Sequence, residues 1–201
     1  MIDRAEIEAI AGLFGAPDTQ IIRDHLISHV LAAIADWPDS NRVTFFGGTA
    51  LCRTWLPNLH LSEDIDLLVD SPADGDGLRT HITSRLRREF PSLAWTRLGS
   101  LHQVETWTLA DDDLEVKVQL ARRPEWQAIP VVIERVQLRY SDLSPSVDLR
   151  VPTPRDRTPA KRRISIPGPA GRELVPWSRG GHNSSVIAGY PQGSDGTGRP
   201  C

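Results

Sequence analysis

The order apolar run, double glycine, helix-forming stretch, then a second apolar run carrying two aspartates constrains this chain more than any other feature. Residues 43–46 read as a strand, Gly47-Gly48 as a turn, and 49–56 as a helix stopped by Pro57. Two residues without side chains let the backbone turn and leave N–H groups open at the helix start, a setting that suits an anion such as phosphate. The expected phosphate contacts are Gly47, Gly48 and Thr49. Residues 64–69 read as the next strand. The side-chain period of two sends Asp64 and Asp66 to one face and Ile65 and Leu67 to the other.

Residues two apart in a strand have Cα atoms ~6.6 Å apart, so their carboxylates can converge on one divalent ion or bracket two. Oxygen ligands favour Mg²⁺ or Mn²⁺ over zinc, and such an ion completes its shell with waters and substrate phosphates. A metal at Asp64 and Asp66 beside a glycine turn therefore predicts phosphoryl or nucleotidyl transfer. Arg53 lies one helical turn after Thr49 and is expected to help neutralise a triphosphate. Ser62 shares the face of Asp64 if the strand begins that early.

The rest of the chain alternates helix and strand. Residues 5–14 read as a short helix and 19–37 as a longer one with Ile22, Leu26, Val30 and Ile34 forming an apolar stripe. Residues 71–77 read as a loop and 78–90 as a helix burying Leu78, Ile82, Leu86 and Phe90. Segments 94–98, 103–110, 114–120, 129–140 and 147–151 have strand character, the second and third forming a hairpin around Asp111-Asp112-Asp113. The triple aspartate is expected to be a polar turn rather than a metal site. Arg87-Arg88 and Arg122-Arg123 read as solvated charge or as contacts to the phosphates of a nucleic acid. The expected fold class is α/β (α+β), a mixed sheet flanked by helices.

Charge divides the chain in two. Residues 1–150 carry 15 Lys and Arg against 23 Asp and Glu, whereas 151–201 carry 8 against 3 together with 8 Pro and 8 Gly. The first part is expected to be the catalytic domain, and the second an atypical, poorly ordered tail. An acidic body is unlike a non-specific nucleic-acid binder, although a metal site itself requires carboxylates. There is no run of 18 apolar residues and no basic leader before an apolar stretch, so no membrane partner is expected. Cys52 and Cys201 suggest neither a disulfide framework nor a zinc cluster, and a cytoplasmic setting fits.

Gly47-Gly48-Thr49-Ala50-Leu51 followed by Ser62-Glu63-Asp64-Ile65-Asp66-Leu67 resembles the nucleotidyltransferase superfamily that includes DNA polymerase beta. More narrowly, it resembles the AbiEii-type, MenT-like toxins of bacterial toxin–antitoxin pairs. The resemblance implies Asp64 and Asp66 as catalytic metal ligands, an NTP, often a pyrimidine nucleotide, as donor, and the 3′ end of tRNA as acceptor, so that aminoacylation stops. It also implies Ser62 as the position where a cognate antitoxin adds phosphate, and a third acid on the strand 114–120, where Glu115 is the only acid on the polar face. Lys161 stands where the family places a charge-stabilising lysine. Arg172-Glu173-Leu174 echoes part of a following acidic motif, with Pro176 in place of its second acid. Two other classes are consistent with the same residues: a nucleotidyltransferase acting on a small-molecule hydroxyl, and a non-catalytic binding module.

Overall fold

A computed structural model describes residues 2–57, 59–101, 104–112, 114–122 and 130–153. The expected tail, with Lys161, the 172–176 fragment and Cys201, lies outside the described residues, as do Asp113 and Arg123. The described part is an α+β fold. Helices α1 (Arg4–Phe14) and α2 (Asp18–Ala35) lead into β1 (Val43–Phe46), α3 (Gly47–Arg53), β2 (Asp64–Val69) and α4 (Pro72–Leu86). Strands β3 (Ala94–Leu101), β4 (Val104–Asp111), β5 (Leu114–Arg122), β6 (Val131–Gln137) and β7 (Ser146–Pro152) follow.

Five strands form one mixed sheet in the order β1-β2-β5-β4-β3. Only β2 and β5 run parallel, because the connection between them crosses over through α4 and the β3–β4 hairpin. The expected hairpin through the aspartate turn pairs Asp111 with Leu114. Strands β6 and β7 pair antiparallel as a separate ribbon. The core lies where α2 and α4 meet the sheet, with Leu31, Ile34, Phe45, Ile65, Leu67, Leu78, Ile82, Val116 and Val118 all buried. No helix among the described residues is long and apolar enough to cross a membrane.

Local chemistry explains the ends of these elements. Asp3 caps α1 by accepting the Glu6 N–H at 2.8 Å, and Gly15 at φ 64° closes it. Residues 71–77, expected to be a loop, are instead the start of α4. Ser71 accepts the Asp74 N–H as N-cap and Pro72 fills the first turn, where no N–H is needed. The two glycines that suggested a loop serve packing. A Cβ on Gly75 would lie 3.3 Å from Leu120 Cδ1, and one on Gly77 would lie 3.4 Å from Trp37 Cζ2.

The single apolar stripe expected on α2 also needs correction. The helix is buried on nearly all sides, including Asp24, His25, Ser28 and His29. Each of these polar groups has a hydrogen-bond partner inside the protein, which is what makes their burial tolerable.

Candidate functional site

Asp64 and Asp66 are half-buried on one face of β2, while Ile65 and Leu67 between and after them are fully buried on the other. β1 flanks the pair on one side, with Phe46 opposite Asp66. On the other side β5 sets Lys117 opposite Asp64 and Gln119 opposite Asp66. Burial and the neighbouring Asp64 charge push the Asp66 pKa up to about 6, with Lys117 opposing that shift.

β1 runs into α3 without an intervening loop, and Gly47 makes the join at φ 82°. A Cβ built on Gly47 would overlap Asp66 Oδ2 and lie 3.0 Å from Asp66 Cγ. Only glycine satisfies both the left-handed backbone and this close approach. Gly48 is exposed, and a Cβ there would meet nothing within 4 Å. Thr49 was expected to contact phosphate, but its side chain is turned to β2. Its buried hydroxyl donates to the Asp64 carbonyl at 2.8 Å, with Asp64 Oδ1 at 3.5 Å. Thr49 thus fixes the position of Asp64.

Arg53 and Ser62 are corrected more fully. Arg53 is fully buried beneath α3 rather than facing a triphosphate. Its Nη2 donates to Asp24 Oδ1 at 2.8 Å, its Nη1 to Ser28 Oγ and the Gln137 carbonyl, both at 2.9 Å, and its Nε to Ser62 Oγ at 2.8 Å. Burial lowers the Arg53 pKa while Asp24 supports its charge. Ser62 precedes β2, which begins at Asp64, and is itself fully buried, its N–H donating to Asp24 Oδ1 at 2.6 Å. Asp24 also accepts from Tyr140 Oη at 2.9 Å and from Arg139 Nη1 at 3.3 Å. This buried network ties α2, α3, the segment before β2 and the end of β6 together, and so supports the aspartate strand from behind.

Glu115 does not stand opposite either aspartate. It is exposed and accepts from Thr108 Oγ1 at 3.1 Å. Arg87 and Arg88 are exposed just past α4, and Arg122 is the last residue of β5, opposite Val69.

Reading the sequence missed the Asp24–Arg53–Tyr140 network, since nothing local distinguishes a buried aspartate on a helix from a solvated one. It also passed over His25 and His29, whose i, i+4 spacing on a helix was a visible sign that the two rings share a face.

No known family profile matches this sequence, and no curated protein matches it. Among solved structures the chain is similar to JHP933 from Helicobacter pylori, at 15% identity and a TM-score of 0.43, over 68% of this chain and 53% of that one. The chain spans about half the length of that protein.

Proposed function

We propose that this protein is a metal-dependent nucleotidyltransferase that moves a nucleoside monophosphate from an NTP to the 3′ end of tRNA, as a toxin of a toxin–antitoxin pair would. The observation that carries the reading is the contact between Gly47 and Asp66. Two carboxylates stand on one face of β2, and the space that a side chain at residue 47 would fill is taken by the Asp66 carboxylate itself, which sets it against the β1–α3 join. An all-oxygen donor pair suits Mg²⁺ or Mn²⁺. When bound, that ion supplies charge neutralisation for the reacting phosphates.

The chain's own residues do the rest. Asp64 and Asp66 would hold the ion, Thr49 keeps Asp64 in place through its carbonyl, and Gly47 lets the Asp66 carboxylate lie against the start of α3. With only seven residues, α3 has a weak dipole, so the cation rather than the helix would neutralise the triphosphate. The toxin role, tRNA as acceptor and the pyrimidine preference rest on the motif resemblance alone. A bound antitoxin remains a compatible partner, but Ser62 is buried, which does not favour it as a point of modification.

The register of β5 favours a second reading, a nucleotide-binding module without transfer, because Lys117 and Gln119 stand opposite the aspartates where a third acid would serve catalysis. Purified protein incubated with each labelled NTP and total tRNA, with Mg²⁺ present or chelated, separates the two. Incorporation that Asp64→Asn and Asp66→Asn abolish supports transfer. Metal-dependent NTP binding without incorporation supports the binding module, and neither binding nor incorporation rejects both.

A further inference from the structure

We propose that His25, His29 and Asp142 form a site for a divalent transition ion of the Zn²⁺ type, separate from the aspartate pair on β2. The two histidines lie one turn apart on α2, and Asp142 lies in the connection between β6 and β7. His25 Nε2 and His29 Nε2 are 3.1 Å apart, and Asp142 Oδ2 is 3.0 Å from the first and 3.3 Å from the second. Bonds of ~2.05 Å to a common ion give ligand separations of roughly 2.9 Å in octahedral and 3.3 Å in tetrahedral geometry, the range these three edges occupy. Among the described residues this is the one group of three or more such ligands whose donor atoms all lie within 4.8 Å of one another.

The donor set fits the ion. Two imidazoles and one carboxylate suit zinc, cobalt or ferrous iron and are a poor choice for Mg²⁺. Both histidine rings are buried, at 3% and 6% exposure, against Tyr140 and Phe90. Coordination requires both rings neutral with the lone pair on Nε2. Burial, and then the neighbouring His25, lower the His29 pKa, in favour of the neutral ring. His25 and His29 also line a cavity of about 460 Å³ with Ile22, Arg23, Glu89 and Asp111, leaving room for solvent as a further ligand. Such an ion would pin α2 to the β6–β7 connection two residues from Tyr140, and thus steady the Asp24 network.

The full chain, stripped of metal, is titrated with Zn²⁺ against a chromophoric chelator and with Co²⁺ by visible absorption. The expected result is uptake of one equivalent of Zn²⁺, a cobalt spectrum without a thiolate charge-transfer band, and a rise in Tm. Asp142→Asn and His29→Gln are each expected to weaken binding by more than the roughly 10- to 100-fold that loss of an outer partner costs. Asp64→Asn/Asp66→Asn should bind Zn²⁺ as the unmodified protein does, which keeps this result independent of any nucleotide transfer. Failure of the unmodified protein to take up an equivalent of ion overturns the proposal. A thiolate band, which would place the ion at Cys52 and His60 or at Cys201, also overturns it, as does unchanged affinity in both folded variants. If a variant does not fold, the cobalt spectrum of the unmodified protein decides.

Discussion

Gly47 abuts the carboxylate of Asp66 so closely that no other residue fits at position 47: a Cβ there would lie 3.0 Å from Asp66 Cγ and overlap Oδ2. Gly47→Ala must both strain a backbone at φ 82° and displace the carboxylate. It is expected to cost about 1–3 kcal/mol in urea unfolding and to abolish Mn²⁺ binding measured by calorimetry. Gly48→Ala is the internal control. It adds a methyl group to an exposed helical position with nothing within 4 Å, so stability should be unchanged or up to about 1 kcal/mol higher, with metal binding retained. Equal loss of metal binding in both variants would contradict the geometric account.

The aspartates repel each other across one strand face, and burial and that repulsion raise the Asp66 pKa to about 6. Removing one charge relieves the strain on the other. Asp66→Asn is therefore expected to be neutral or stabilising in thermal unfolding without metal, and to show none of the stabilisation by Mn²⁺ that the proposed site predicts for the unmodified protein. A marked fall in Tm without metal would mean that the carboxylate has a structural partner instead.

Arg53 and Asp24 form a fully buried ion pair at 2.8 Å. Arg53→Met leaves the Asp24 carboxylate without its main cation and should cost about 3–5 kcal/mol, as should Asp24→Leu from the other side. The double variant should lose much less than the sum of the two, because neither member of the Arg53–Asp24 pair is stranded and what remains is the lost contact of Arg139 with Asp24. Denaturant unfolding of the three variants measures this, and additive losses would refute the coupling.

Ser62 is sealed beneath the same pair, with Oγ accepting from Arg53 Nε and the N–H donating to Asp24. A modifying enzyme would have to open this region first. Phosphate transfer to Ser62 by any kinase should thus be undetectable by mass spectrometry in the folded protein, and should appear once Arg53→Met has loosened the network. Efficient labelling of the unmodified protein would show that the segment before β2 opens readily.

The strands and the aspartate pair were legible because they depend on period and order, which sequence carries directly. The face shared by Asp64 and Asp66 follows from alternation, and the β4–β5 hairpin follows from a polar turn between apolar runs. What sequence could not carry is where a polar side chain finds its partner. Arg53 looked like a surface cation beside a phosphate cradle, yet its partner Asp24 lies 29 residues earlier on a helix that packs beneath it. Residues 71–77 misled for a different reason: two glycines suggested a loop, the capping signal of Ser71-Pro72 was passed over, and the surfaces of Leu120 and Trp37 that demand glycine are distant in sequence.

That capping signal carries its own test. Asp74 accepts from Ser71 Oγ at 2.7 Å and from Arg42 Nη1 at 2.9 Å, and the Ser71 hydrogen bond, followed by Arg42, lowers its pKa below the usual carboxylate value against the effect of burial. A carboxylate whose pKa is depressed on folding contributes stability above its unfolded pKa of about 3.9 and loses it as pH falls through the folded value. Asp74→Asn should thus cost about 1–2 kcal/mol at pH 7, and the difference from the unmodified protein should shrink steadily below pH 4. Unfolding of both proteins in urea from pH 7 to pH 2.5 measures it. A constant gap across that range would mean that the Asp74 side chain stabilises α4 by shape and not by charge.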